Sequence, residues 1–144
     1  MSNVVAPPLP HTRASQADSI LADSSICRFE MNTDIEPLEW LASRSEREQC
    51  YWANRESQQE TAATGVLIEV SGDTEDADTT PWMERIATHL YFADERIRFY
   101  GGMRFNMHTL PSTEWQPFGS YRFVVPRFEA VRRDGKSRLA CNFR

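Results

Sequence analysis

The side chains that could act as bases, nucleophiles or metal ligands are few in this chain and lie far apart. The three histidines, His11, His89 and His108, are not spaced with one another, or with a cysteine or an acid, as a metal-binding set requires. A histidine without such neighbours is usually structural or solvated. The histidines therefore predict no metal site.

Other residue types give no catalytic arrangement either. The serines Ser112, Ser120 and Ser137 lack the strand, sharp turn and helix that expose a nucleophilic serine. The pair Gly101-Gly102 precedes no predicted helix, so it indicates a bulge or a close backbone approach rather than a phosphate-binding loop.

Charged side chains that could transfer protons fall in predicted turns and loops. The acidic pairs Glu46 with Glu48 and Asp76 with Asp78 are expected to be surface charge. Lys136 is the single lysine and follows a predicted turn, where it should be solvated. From the residues alone we predict no catalytic, cofactor-binding or metal-binding residue in this chain.

Length and composition allow a single domain with a hydrophobic core. The chain has 144 residues, of which 40% are hydrophobic. The odd number of cysteines, Cys27, Cys50 and Cys141, and their spacing predict reduced core thiols rather than disulfides or a metal site. No apolar run approaches the ~20 residues that cross a bilayer, and no signal-peptide pattern is present, so a cytoplasmic protein is expected.

Charge is unevenly distributed along the chain, whose net charge is −5. Residues 1–94 carry 6 Arg against 17 acids, whereas residues 95–144 carry 10 Arg and Lys against 4 acids. This asymmetry fits a surface for an anionic ligand or an acidic partner, or strands whose arginines alternate outward over a core. Nucleic acid is not indicated, because the basic residues form no compact patch.

Residue periodicity predicts alternating strands and helices after an N-terminal arm. Residues 1–25 are expected to form a disordered or loosely attached arm, and residues 26–144 the folded layer. The predicted elements are a strand at 26–31, a helix from 34 to near 45, strands at 49–54 and 61–70, a loop at 71–80, a helix from 80 to 94–95, a strand at 97–102, a long loop at 107–119, and a hairpin of 121–132 and 137–143. Asp134-Gly135 supplies the hairpin turn.

This order predicts an α+β fold. The expected architecture is a largely antiparallel sheet with two helices packed on one side, ending in a β-hairpin. A hairpin is marginal alone, so it must lie against other elements.

Several segments, in order, resemble the amino-terminal region of isochorismate synthases, which belong to the chorismate-utilising enzymes. They are Pro37-Leu38-Glu39-Trp40-Leu41, Cys50-Tyr51-Trp52-Ala53-Asn54-Arg55, residues 97–105 (IRFYGGMRF), Trp115-Gln116-Pro117-Phe118 and Phe123-Val124-Val125-Pro126-Arg127-Phe128-Glu129. The resemblance covers residues 25–144. It implies that this chain is half of the chorismate-utilising enzyme fold.

The resemblance also implies an activity that this chain does not complete. Family enzymes convert chorismate to isochorismate for menaquinone or siderophore synthesis, and their Mg²⁺-binding glutamates and catalytic lysine and glutamate lie in the carboxy-terminal half. None of those motifs occurs here. The chain is therefore expected to be inactive alone, to hold no cofactor itself and to have the missing half as its partner.

The resemblance leads to one further expectation and leaves one alternative open. The side chains Tyr121, Phe123, Phe128 and Phe143 would be left exposed where the missing half packs. The alternative is a stand-alone binding or regulatory module, which would bind a small anionic or aromatic ligand or a separate catalytic subunit.

Overall fold

The structure of the protein, a computed structural model, describes residues 25–73, 79–106 and 112–144. Its elements are β1 (Cys27–Thr33), α1 (Pro37–Ala42), β2 (Gln49–Ala53), β3 (Gln59–Gly72), α2 (Thr79–Tyr91), β4 (Tyr100–Met103), a 3₁₀ helix (Thr113–Phe118), β5 (Tyr121–Arg133) and β6 (Lys136–Phe143). None of the described helices is long and apolar enough to cross a membrane.

The six strands form one antiparallel sheet in the order β1-β6-β5-β3-β2. The short strand β4 pairs with the first residues of β5, beyond the end of β6. The register of β3 on β5 shifts between Val66 and Ile68, next to Gly65, whose φ is 70°. Such a bulge locally bends and twists a strand. The antiparallel sheet and the hairpin of β5 and β6 confirm the predicted α+β fold.

The hairpin turn forms as its residues predict. Asp134 and Gly135 both have positive φ, 50° and 74°, which an Asp-Gly pair tolerates with little strain. This turn fixes the register in which Arg133 lies opposite Lys136.

Two apolar clusters stabilise the layer. The first contains Ile26, Ile68, Ile97 and Val125, and the second places Trp40 and Leu41 of α1 against Ala62 and Ala130. On α2, the Trp82 ring stacks on Phe123 with 5.0 Å between ring centroids. Burial of these side chains anchors both helices to the sheet.

Element boundaries differ from the sequence expectations in several places. Strand β3 extends two residues beyond each end of the expected 61–70, and α2 ends at Tyr91 rather than at 94–95. Helix α1 ends at Ala42, not near residue 45, because the Ser43 hydroxyl bonds the Trp40 carbonyl 2.7 Å away. β4 begins at Tyr100, since the backbone N–H of Ile97 bonds the Asp94 carbonyl in a turn. The expected long loop contains the 3₁₀ helix. The expected arm over residues 1–25 lies almost wholly outside the described residues, as do 74–78 and 107–111.

Two of the four aromatic residues expected to lie exposed are covered within this chain. Tyr121 is buried and Phe123 packs under Trp82, because α2 lies over this part of β5. The expectation was therefore wrong for these two side chains. Phe128 and Phe143 are exposed, at 41% and 46%.

Candidate functional site

The carboxylate of Glu129 lies buried in the sheet and is held by side chains from three other strands. Its Oε1 accepts hydrogen bonds from Arg28 Nη1 at 2.6 Å and from Asn142 Nδ2 at 2.7 Å. Its Oε2 accepts one from the Tyr100 hydroxyl at 2.9 Å. We call Arg28, Tyr100, Glu129 and Asn142 the Glu129 cluster.

Strand register brings the cluster together. Arg28 of β1 lies opposite Asn142 of β6. Two residues further along β1, Glu30 lies opposite Ala140, which in turn lies opposite Glu129 of β5. Residues directly opposite in antiparallel strands point to the same face. The Asn142 side chain also donates from Nδ2 to the Pro126 carbonyl and accepts from Arg28 at Oδ1.

The surroundings of Arg28 and Tyr100 keep both side chains protonated near neutral pH. Burial acts to lower the pKa of Arg28, but the Glu129 and Glu30 carboxylates outweigh it and raise that pKa above its ordinary value. Burial, and then the Glu129 charge, raise the pKa of Tyr100, so its hydroxyl keeps the proton that it donates. Both side chains donate to Glu129, so the cluster ties β1 and β4 to β5.

A chain of ion pairs extends the cluster to the surface. Arg28 Nε lies 2.6 Å from Glu30 Oε1, and Glu30 Oε2 lies 3.1 Å from Arg96 Nη1. Arg96 also binds Asp94, with 2.6 Å between Nη2 and Oδ2. The Arg96 side chain and its backbone N–H lower the pKa of Asp94 to about 2. These bonds fix the turn that precedes β4 against β1.

A cavity of about 680 Å³ lies beside the cluster, and Tyr100 belongs to both. Its walls come from β2, β3, β4, the 3₁₀ helix and β5. They are mainly apolar and aromatic, and include Cys50, Ala63, Tyr100, Met103, Trp115, Phe118, Val124 and Pro126. A volume of this size is typical of pockets for small organic ligands.

Arg122 at the cavity wall is paired with two carboxylates. Arg122 lies 3.0 Å from both Glu48 and Glu69, and the hydrogen bonds that it donates, first to Glu69, raise its pKa. Burial, and then the Glu129 charge, raise the pKa of the Cys50 thiol. The thiol therefore stays protonated near neutral pH and is a poor nucleophile.

Some of the residues considered from the sequence line the cavity, namely Glu48, Cys50, Gly101, Gly102, Ser112 and Ser120, whereas the other described ones lie elsewhere. His89 is half-buried on α2 beside Phe99, and burial, followed by nearby arginines, lowers its pKa. Ser112 is exposed, Ser137 lies in β6, and Ser120 is buried at the cavity wall. Lys136 is exposed after the hairpin turn. His11 and His108 lie outside the described residues.

The glycine, cysteine and acidic candidates lie partly at the cavity and partly elsewhere in the described structure. Gly101 makes the expected close approach, since a Cβ there would lie 2.0 Å from the Arg122 carbonyl oxygen. Cys27 is exposed, whereas Cys50 and Cys141 are half-buried, so the prediction of three core thiols was wrong for Cys27. Asp76 and Asp78 lie outside the described residues, and Glu46 is exposed.

The Glu129 cluster was not foreseen from the sequence. Its members Arg28 and Glu129 are 101 residues apart, and neither neighbours another member in the chain. The one local signal is the single carboxylate of β5, which lies between Phe128 and Ala130. A glutamate there must be neutralised if it faces the core.

Comparison with known proteins gives the class to which this fold and sequence belong. The family model described as "Chorismate binding enzyme" matches residues 14–144. The chain therefore belongs to the chorismate binding enzyme family.

Particular members of that family are similar to parts of the chain. Isochorismate synthase 2, chloroplastic, of Arabidopsis thaliana is 46% identical over 44 residues, which are 31% of this chain and 8% of that protein. The structure of MenF, the menaquinone-specific isochorismate synthase from Escherichia coli, has a similar fold with a TM-score of 0.59 and 17% identity. That match covers 90% of this chain but 28% of the MenF chain.

Proposed function

We propose that this chain is the amino-terminal portion of an isochorismate synthase, the Mg²⁺-dependent enzyme that converts chorismate to isochorismate. The family match over residues 14–144 carries the proposal. The two isochorismate synthase relatives support the particular reaction, and the small share of each relative that is matched supports a portion rather than the whole.

The described residues do not fit a magnesium site. They contain no group of three His, Cys, Asp or Glu side chains that could hold a metal ion. The lysine, Lys136, is exposed at a turn. In this proposal the metal ligands and the acid and base come from another part of the enzyme, and this chain contributes one layer of the fold.

An assay of the 144-residue chain tests its proposed inactivity. Chorismate would be incubated with the chain and Mg²⁺, and isochorismate would be followed by chromatography. We expect no conversion above the protein-free control. Conversion that rises with protein concentration would show that the catalytic groups are present here.

The coding sequence beyond Arg144 tests the proposed division. We expect an in-frame continuation that encodes a lysine and paired glutamates. If the reading frame stops at Arg144 and no separate catalytic subunit binds the chain, the proposal that it is part of an isochorismate synthase fails.

MenF is described as menaquinone-specific, so menaquinone rather than siderophore synthesis is the pathway we favour.

The cavity beside Tyr100 favours a second candidate function, a binding or regulatory module. Its volume and aromatic walls suit a small aromatic ligand, and a ligand carboxylate would compete with Glu48 and Glu69 for the Arg122 guanidinium at its wall. Titration calorimetry with chorismate and with each aromatic amino acid tests it. Saturable heat that is lost in a Trp115→Ala variant supports a module, and no heat with any of these ligands removes it.

A further inference from the structure

We propose that the cavity beside Tyr100 binds a flat, uncharged aromatic molecule and discriminates against an aromatic anion of the same shape. This proposal rests on the second candidate function, that of a binding module, and names the class of ligand that the module takes. Three features of the cavity wall support it, namely aromatic rings, a doubly paired arginine and uncharged polar groups.

Aromatic rings form much of the cavity wall. It is lined by Tyr100 of β4, by Phe105 beyond the end of that strand, and by Trp115 and Phe118 of the 3₁₀ helix. The ring centroids of Trp115 and Phe118 lie 5.6 Å apart, and both side chains are more than half exposed, at 58% and 54%. A flat aromatic ligand would pack against these rings and remove their apolar surface from water.

The guanidinium of Arg122 already has a carboxylate at each of its terminal nitrogens. Its Nη1 lies 3.0 Å from Glu48 Oε2, and its Nη2 lies 3.0 Å from Glu69 Oε2. A ligand carboxylate would compete with both of them, and Glu48 itself lines the cavity and would repel it. Arg104, the other arginine at the wall, is not free either. An uncharged ligand displaces no ion pair, so the wall favours it over an anion.

The polar groups of Cys50 and Tyr100, which also line the cavity, show how this wall treats negative charge. Burial, and then the Glu129 carboxylate, raise the pKa of the Cys50 thiol and the pKa of the Tyr100 hydroxyl. Both effects disfavour the anionic form of a side chain here, and they act in the same way on an anionic ligand. An uncharged aromatic ring meets neither penalty.

Equilibrium dialysis of the full chain with two ligands of matched shape tests the selection by charge. Naphthamide is uncharged at neutral pH, whereas the naphthoate of the same ring position carries one negative charge. We expect saturable binding of naphthamide, and binding of naphthoate that is at least about tenfold weaker. A Trp115→Ala variant should lose most of the affinity for naphthamide, because it removes one ring of the wall.

A double variant tests the part that the pairing of Arg122 plays. Glu48→Gln/Glu69→Gln removes both partner charges, and these side chains are 52% and 37% exposed, so their loss should leave the fold intact. We expect naphthoate to bind the double variant at least about tenfold more tightly than the unaltered chain, because Arg122 is then free to bind its carboxylate. The affinity for naphthamide should stay nearly unchanged. The matched control is Glu46→Gln, which changes an exposed carboxylate outside the cavity and should alter neither affinity.

Naphthoate that binds the unaltered chain as tightly as naphthamide would overturn the selection by charge and still leave a binding module. A naphthoate affinity that the double variant does not raise would overturn it too. If naphthamide binds Trp115→Ala as tightly as the unaltered chain, its site lies elsewhere and the proposal fails. Absence of binding by either ligand would overturn this proposal together with the binding module, whereas the isochorismate synthase proposal is tested separately by the conversion assay and the reading frame.

Discussion

At the scale of single residues, the most constrained group in the molecule is the Glu129 carboxylate. Its side chain is 1% exposed and that of Arg28 is 4% exposed, so both charges have lost their hydration. The cost of that desolvation is offset only because both Glu129 oxygens accept hydrogen bonds. Removing one partner therefore leaves an uncompensated buried charge.

Replacing Glu129 tests this balance. We expect Glu129→Gln to lower the free energy of unfolding by about 3–5 kcal/mol, the usual cost of breaking a buried ion pair. Urea denaturation followed by tryptophan fluorescence measures it. The control Glu95→Gln changes an exposed carboxylate and should alter stability by less than ~0.5 kcal/mol. Equal effects of the two variants would show that the ion pair of Glu129 with Arg28 does not stabilise the fold.

Acid titration tests the ion pair between Asp94 and Arg96. The folded-state pKa of Asp94, about 2, lies below its ordinary value of 3.8, so the charged form stabilises the fold. This stabilisation is present above the ordinary pKa and is lost as the pH falls through about 2. The stability difference between the unaltered chain and Asp94→Asn should thus shrink on acidification from pH 5 to pH 2.

Thermal unfolding over this pH range measures that difference. Asp34→Asn, which changes an exposed aspartate, serves as the control. A stability difference for Asp94→Asn that stays constant down to pH 2 would contradict the lowered pKa.

At the scale of elements, β4 depends on a close approach that only glycine permits. β4 has four residues and pairs with β5 alone among the described strands. At Gly101 an added Cβ would lie 2.0 Å from the Arg122 carbonyl oxygen and 2.7 Å from the Phe123 Cα. These are backbone atoms, which cannot rotate away. The β4 backbone also positions Tyr100 toward Glu129.

The two adjacent glycines give a matched pair of variants. We expect Gly101→Ala to destabilise the protein by about 1–3 kcal/mol, because the clash forces β4 away from β5. Gly102→Ala should cost less than ~1 kcal/mol, since no atom lies within 4 Å of the added Cβ. Hydrogen exchange at the Arg104 amide, which bonds the Ser120 carbonyl just beyond β4, reports whether β4 separates from β5. Equal exchange rates in the two variants would show that β4 does not separate in Gly101→Ala.

At the scale of the whole molecule, one sheet face remains apolar and uncovered by the described residues. Cys141 lies opposite both Phe29 and Phe128, so these side chains form one row across three strands. Phe143 lies opposite Cys27 on the same face. Helix α1 covers only the neighbouring part of this face, around Ala62 and Ala130. An exposed row of this kind is typical of a surface that another protein layer covers.

Dye binding tests the apolar row. We expect the chain to bind 1-anilinonaphthalene-8-sulfonate in its folded state, and the double variant Phe128→Ser/Phe143→Ser to bind at least severalfold less. Fluorescence titration at matched protein concentration measures this. Tyr91→Ser removes a more exposed aromatic side chain from α2, away from this row, and should leave dye binding unchanged. Equal loss in both variants would place the dye elsewhere.

The sequence by itself determined the local structure and the family. Alternation predicted the two strands of the hairpin, Asp134-Gly135 predicted its turn, and Pro37 with Trp40 and Leu41 predicted a helix. These signals are local, because turn geometry and amphipathic period depend on neighbouring residues. The ordered motifs indicated the isochorismate synthases, and the family match confirms the relationship.

Only the tertiary structure decided which face of β1 points inward. The polar residues Arg28 and Glu30 are the inward ones, and the apolar Phe29 is exposed. Hydrophobicity alone favours the opposite arrangement. The charged face can turn inward because Glu129, which is 101 residues from Arg28 along the chain, supplies the compensating charge. Pairing between strands so distant in sequence leaves no periodic signal in either strand, so the Glu129 cluster became visible only in the folded sheet.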